Sequence, residues 1–211
     1  MKSDILHALE TDKVVVVIRG HSKEEAIQTA QAVVAGGLHI LEITYTNPAA
    51  SAIIADLTST YQQGDVIIGA GTVLDAVTAR QAILAGASFI VSPAFDKHVA
   101  QLCHQYAIPY LPGCMTITEI TRALSYGADW IKLFPGSALG PSFLSAVKSP
   151  LPQVSLMVTG GVNVTNAKSW LEAGAKSIGI GGEFNHLAEQ GQFQAITALA
   201  KEYHQLAQAK V

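Results

Sequence analysis

The stretch ALSYGADWIKLFP (residues 123–135) holds the pattern from which the fold follows. A helical ending runs into Gly127, a residue able to take the left-handed conformation that terminates a helix, and a short apolar run follows. The same phrase recurs as AVVAGGLHILEITYT (32–46), AILAGASFIVSP (82–93) and WLEAGAKSIGIGG (170–182). Its apolar runs are rich in Ile, Val, Leu and Phe and alternate little, as strands do when both faces of a parallel sheet are covered. Four further apolar runs, 14–19, 66–69, 108–111 and 154–158, lie between the phrases. Eight strands separated by helical stretches predict an α/β fold, a closed (β/α)8 TIM barrel forming a single domain over 1–211. An open doubly wound sheet is the alternative, but no early G-x-G-x-x-G follows a strand.

Between the strands, Ser22 and Glu25 fit a capping box opening a helix with Ala26, Ile27, Ala30, Val33 and Val34 on its apolar face. Thr165 is expected to cap a helix holding Ala167, Trp170 and Leu171, closed by Gly174. Phe193, Ile196, Leu199, Tyr203 and Leu206 stand at helical spacing and predict a last helix packed on the barrel wall.

Composition narrows the function classes. Hydrophobic residues make up 49% and charged ones 14%, which excludes disorder as the dominant state. A chain of 211 residues buries about 70% of its extended surface, enough to need no metal or disulfide staple. The 13 Lys+Arg against 16 Asp+Glu give a net charge of −3 without a basic stripe, which argues against a nucleic-acid partner. No segment reaches the ~20 apolar residues of a membrane span. The start, MKSDILHALE, carries charges where a signal peptide places its apolar stretch, so a mature N-terminus is expected. Cys103 and Cys114 suggest neither a disulfide frame nor a zinc site; they read as packing residues of a cytoplasmic protein. The seven histidines are scattered, with His98 and His104 read as helix surface.

In such a barrel, chemistry gathers where the strands end and the βα loops converge. The polar residues there are Arg19, Glu42 with Thr44, Thr72, Ser92, Lys132, Thr159 and Glu183. Lys132 stands inside an apolar strand, between Ile131 and Leu133. Lysine is rarely buried without a partner. Desolvation of an inward lysine favours the neutral amine, which can attack a ketone and form a Schiff base. The competing reading is a structural ion pair, or a side chain snorkelling outward past the helices.

Glu42, the only acid in its strand, suits a general base acting directly or through one water. It suits equally a counter-ion to Lys132 or Arg19. Two buried opposite charges on separate strands are costly unless they are used, and the pair therefore favours catalysis. Arg19 offers a planar fork to a carboxylate, or an ion pair with Glu42 at the barrel mouth. Thr159, Gly160 and Gly161 end the seventh strand and Gly181 and Gly182 the eighth, where loops commonly bind phosphate through backbone N–H groups. Glu183 would repel a phosphate if it pointed inward.

GAGTV (69–73), the glutamate of LEITYTNP (41–48), the lysine of IKLFP (131–135), and TGG (159–161) followed by IGG (180–182) together resemble one family. It is the 2-keto-3-deoxy-6-phosphogluconate (KDPG) aldolase family, which also contains 4-hydroxy-2-oxoglutarate (KHG) aldolase and the 2-keto-3-deoxy-6-phosphogalactonate enzyme. The resemblance covers about 14–182, with the motifs in family order.

It implies a cytoplasmic homotrimeric class I aldolase on a (β/α)8 barrel, acting on a small 2-keto acid sugar phosphate without metal or other cofactor. It makes Lys132 the Schiff-base lysine and Glu42 the general base. Thr72 would hold the pyruvate carboxylate, Pro93 and Phe134 would line the pocket, and Gly160, Gly161, Gly181 and Gly182 would bind the phosphate. Thr46 stands where many members carry an arginine for the substrate carboxylate, a task that passes to Arg19. Glu183 stands where many have a serine that touches the phosphate. The implied reaction is cleavage of KDPG to pyruvate and glyceraldehyde 3-phosphate, and of 4-hydroxy-2-oxoglutarate to pyruvate and glyoxylate. The galactonate isomer is the alternative substrate, since PGCMTITEI (112–120) and FPGSALGP (134–141) resemble that branch as much.

Three other readings compete. A metal-dependent aldolase or epimerase needs a His, Asp or Glu cluster at the strand ends. A decarboxylase of the phosphate-binding barrel type wants Asp–Lys–Asp on one strand, and WIKLFP lacks the acids. A non-catalytic barrel that binds a sugar phosphate is the reading from a different class.

Overall fold

Every apolar run picked out above forms a strand in the computed structural model, which describes residues 2–61 and 64–209. The strands are β1 (Val14–Ile18), β2 (Ile40–Thr44), β3 (Ile67–Gly71), β4 (Ile90–Val91), β5 (Tyr110–Leu111), β6 (Gly113–Cys114), β7 (Ile131–Leu133), β8 (Leu156–Thr159) and β9 (Ser177–Ile180). The helices are α1 (Lys2–Asp12), α2 (Lys23–Ala35), α3 (Ala50–Thr60), α4 (Ala76–Leu84), α5 (Lys97–Gln105) and α6 (Ile117–Ser125). They continue with α7 (Gly136–Leu139), α8 (Ser142–Lys148), α9 (Ala167–Glu172), α10 (Gly182–Glu189) and α11 (Phe193–Gln208).

All strand pairs are parallel, in the order β5-β4-β3-β2-β1-β9-β8-β7-β6. The two ends of that order are one stave, because only Pro112, which has no N–H for the ladder, separates Leu111 from Gly113. The Leu111 carbonyl accepts the Ser92 N–H at 3.3 Å, and the Pro112 carbonyl accepts the Lys132 N–H at 2.9 Å on the other side. The sheet thus closes into a barrel of eight staves.

Period-two alternation sorts the side chains between two cores. Val15, Ile40, Phe89, Val91, Leu111, Trp130 and Met157 fill the barrel interior, and Leu9 of α1 joins them. Residues of the opposite parity, such as Val16, Leu41, Ile43, Ile131 and Val158, pack against the surrounding helices. The same parity turns Glu42 (after Ile40), Lys132 (after Trp130) and Thr159 (after Met157) inward, so polar side chains sit above an apolar plug. α1 itself is an element the sequence reading did not assign. Its Ile5, Leu6 and Leu9 meet the interior cluster, and Lys2 pairs with Asp129 at 2.7 Å.

Two caps differ in detail from expectation. Ser22 Oγ accepts the Glu25 N–H at 3.1 Å, but Glu25 Oε1 accepts from the His21 N–H, one residue before the position a reciprocal box requires. The complete box is Thr116 with Glu119 at the start of α6. Thr165 does not cap α9: Asn163 Oδ1 accepts the N–H groups of Thr165 and Asn166, because the turn into the helix starts two residues earlier. The C-terminal helix is as predicted, and α11 crosses α2 so closely that a Cβ on Gly36 would lie 2.3 Å from the Ala200 Cβ.

Candidate active site

β2 and β7 are not neighbours; three staves separate them on either side of the barrel, β1, β9 and β8 one way and β3, β4 and the shared β5–β6 stave the other. Closure of the barrel brings their inward side chains together across its interior. Lys132 Nζ lies 3.7 Å from Glu42 Oε1, with the two side chains 8% and 1% exposed. Lys132 therefore points inward and does not snorkel past the helices. At 3.7 Å the pair attracts without a hydrogen bond, and neither carboxylate oxygen of Glu42 has a hydrogen-bond partner. A buried acceptor without a donor costs on the order of 1–3 kcal/mol. Such an atom is suited to a reacting hydroxyl.

GAGTV explains how a glutamate fits here. A Cβ on Gly71 would lie 2.0 Å from Glu42 Oε1, and one on Gly69 would lie 2.3 Å from the Phe89 ring. The two glycines leave the interior of β3 bare, so that Phe89 fills the lower space and the Glu42 side chain the upper.

Above Lys132 opens a cleft of about 450 Å³ lined by Arg19, Lys132, Phe134, Thr159, Gly160, Gly161, Gly181 and Gly182, among others. The Phe134 ring centroid is 5.2 Å from Lys132 Nζ. Gly160 and Gly161 have φ of +84° and +79°, and a Cβ on Gly161 would meet the Ser137 Cβ at 2.7 Å. Gly182 opens α10 with nothing near its Cβ position. The positive end of that helix dipole and these glycine-lined walls suit an anion.

Of the other expected site residues, Thr72 (φ +56°) and Pro93 end β3 and β4 on the same rim but outside this lining. Arg19 is exposed and, among the described residues, makes no ion pair with Glu42. Thr46 is exposed, its hydroxyl 2.6 Å from that of Thr44. Glu183 lines the cleft, yet its Oε2 is tied back, accepting from the Tyr203 hydroxyl and from the Val164 N–H at 3.3 Å. Burial and the Glu183 hydrogen bond raise the pKa of the Tyr203 phenol. Burial pushes both thiols up to about 12, assisted at Cys114 by Glu119, so neither is a nucleophile near neutral pH. His98 and His104 are exposed.

Sequence reasoning missed four residues here. Asn163 and His186 line the cleft, while Asn47 and Asn185 bind the main chain around Arg19. Only Asn47 carried a local signal, the turn-forming Asn-Pro pair. Among the described residues, no group of three or more His, Cys, Asp or Glu converges as a metal site requires.

A lysine and a glutamate joined across a barrel interior beneath a glycine-walled cleft meet the known proteins at this point. The family model for KDPG and KHG aldolase matches residues 5–199. The chain belongs to the KDPG/KHG aldolase family.

A 2-dehydro-3-deoxy-phosphogluconate aldolase of Treponema pallidum is 34% identical over 206 residues, spanning 96% of this chain and 97% of the relative. The 2-dehydro-3-deoxy-6-phosphogalactonate aldolase of Escherichia coli is 31% identical, spanning 92% and 96%. The solved KDPG aldolase of Legionella pneumophila, with pyruvate captured as a covalent carbinolamine, superposes with a TM-score of 0.84. It is 30% identical and the match covers 92% of this chain and 95% of that one. As a member of this family the protein is a carbon–carbon lyase on a TIM-type barrel. Among its described residues no helix is long and apolar enough to cross a membrane.

Proposed function

We propose that this aldolase works through a Schiff base on Lys132 and cleaves KDPG to pyruvate and glyceraldehyde 3-phosphate. The observation that carries the reading is the buried Lys132–Glu42 pair, 3.7 Å apart, with both carboxylate oxygens available and the cleft directly above.

The Lys132 amine adds to the C2 ketone, and loss of water leaves a protonated imine. Glu42 takes the C4 hydroxyl proton, directly or through one water. The C3–C4 bond breaks, its electron pair moves into the iminium, and the aldehyde departs. Protonation of the resulting enamine at C3, then hydrolysis, releases pyruvate and restores the amine. In this reading Arg19 and Thr72 hold the carboxylate, and Pro93 and Phe134 bound the pyruvyl portion. Thr159 sits beside the imine, and Gly160, Gly161, Gly181 and Gly182 receive the phosphate. The Legionella relative, solved as its pyruvate carbinolamine, supports the first step. A cytoplasmic homotrimer, free of metal, completes the reading.

Borohydride reduction in the presence of pyruvate, followed by intact-mass measurement and peptide mapping, tests it. The expected result is one reduced pyruvyl adduct on Lys132, absent from the Lys132→Ala protein, which should also lose turnover. A folded enzyme that gives no adduct overturns the Schiff-base reading.

A further inference from the structure

The β1–β9 ladder pairs Val14 with Ile178 and Val16 with Ile180. The next partner of that spacing for β1 would be Gly182 opposite Ile18, but Gly182 is the first residue of α10 and has left the sheet. In a parallel ladder the missing residue would donate its N–H to the Val17 carbonyl and accept the N–H of Arg19, the two groups that flank Ile18. Both groups are satisfied here by one side chain. Asn185, in the first turn of α10, donates from Nδ2 to the Val17 carbonyl at 2.8 Å and accepts the Arg19 N–H on Oδ1 at 2.8 Å. The same Nδ2 also reaches the Gly181 carbonyl.

On the far side, Asn47, 3% exposed, donates from Nδ2 to the carbonyls of Arg19 at 3.1 Å and Gly20 at 3.0 Å, while its Oδ1 accepts the Ala49 N–H. The N–H and the carbonyl of Arg19 are thus held by side-chain amides from two different segments, the start of α10 and the turn after β2. Gly20 then turns the chain away with φ of +62°.

We infer that Asn185 is a positioning residue for substrate binding. Its carboxamide replaces the absent peptide group of the sheet, so that β1 remains ordered one residue further and presents the Arg19 guanidinium to the cleft at a fixed distance from Gly181 and Gly182. Because one amide binds both Arg19 and Gly181, it sets the span between the arginine and the glycine-walled anion site. Asn47 steadies the same turn from the other side. The inference rests on the reading that Arg19 binds an anionic group of the substrate. Pyruvate trapping on Lys132 in the unsubstituted enzyme tests the chemical mechanism separately.

The experiment is a double-substitution cycle with KDPG as the probe. Displacing a positioned group by about 1 Å costs on the order of 100-fold, so Asn185→Ala should lower kcat/KM by roughly 10- to 100-fold, with the loss falling on KM rather than on kcat. Arg19→Ala should show a similar loss. The Asn185→Ala/Arg19→Ala protein should be no worse than Arg19→Ala alone, since a residue that acts through Arg19 has nothing to position once the guanidinium is gone. Calorimetric Kd values for KDPG in the Lys132→Ala background repeat the cycle without the chemical step. Losses that add, or an Asn185→Ala protein with unchanged KM and Kd, overturn the inference. If Asn185→Ala does not fold, Asn185→Asp serves: it keeps the acceptor for the Arg19 N–H and removes the donors to the Val17 and Gly181 carbonyls. The same non-additivity with Arg19→Ala is expected, additive losses again overturning the inference.

Discussion

Replacing Gly71 by alanine should displace Glu42 without touching it covalently, and the structure sets the size of the effect. The new Cβ would stand 2.0 Å from Glu42 Oε1, 2.6 Å from its carboxyl carbon and 2.7 Å from Cγ, whereas ordinary contact begins near 3.4 Å. The carboxylate must retreat by roughly 1.4 Å, more than a third of its 3.7 Å separation from Lys132 Nζ. Gly71 is an ordinary strand residue without positive φ, so alanine meets no backbone penalty and the perturbation is steric alone. Overpacking of this kind costs about 1–3 kcal/mol of stability, and a shift beyond 1 Å in a reacting group costs on the order of 100-fold in rate. The assay is pyruvate release, with melting temperature alongside. A folded Gly71→Ala enzyme that keeps kcat/KM within about threefold of the original would refute the assignment of proton transfer to a carboxylate fixed at this place.

Other outcomes follow from the same geometry. Glu42→Gln should slow turnover by about 100-fold or more while pyruvate is still trapped on Lys132, since removal of the base leaves the amine intact; equal loss of trapping and turnover would contradict that division of roles. Stability should fall in alkali. Cys103 and Cys114 hold their protons to about 12 when folded against an ordinary 9, and Tyr110 to about 12 against 10, in each case chiefly through burial. The folded state then binds more protons than the unfolded one at alkaline pH, so this contribution is complete below about pH 9 and is lost as pH rises towards 12. Denaturant midpoints measured between about pH 8 and 11 should decline, less steeply in Cys103→Ala; a flat profile would show that the thiols are not shielded.

Much of the fold was legible because its signals are local. Each helix-ending glycine followed by an apolar run, as at Gly86 before Ile90 and Gly174 before Ile178, needs only neighbouring residues to be read. α1 escaped notice although Ile5, Leu6 and Leu9 share one face, since a short helix with few apolar residues shows what it covers only once the interior cluster it meets is in view. The capping residue of α9 was misplaced by two positions because Thr165 and Asn163 both suit a cap, and only the path of the chain selects between them.

The sequence by itself determined the strands, and alternation within each then pairs Glu42 with Ile40, Lys132 with Trp130 and Thr159 with Met157 on one face, whereas which face turned inward was open until the barrel was in view. Alternation is a property of the strand alone. Tertiary structure decided which of these residues meet. Lys132 reaches Glu42 only because closure through Pro112 curls the sheet until β2 and β7 face each other, and Gly71 is required only because Glu42 leans over it. The fate of Glu183, drawn back to Tyr203 on α11, and the hold of Asn185 and Asn47 on Arg19 are likewise contacts between segments distant in the chain. No periodicity encodes them: a side-chain amide finds its partners where backbone groups are left unpaired, and those groups are defined only once the barrel has formed.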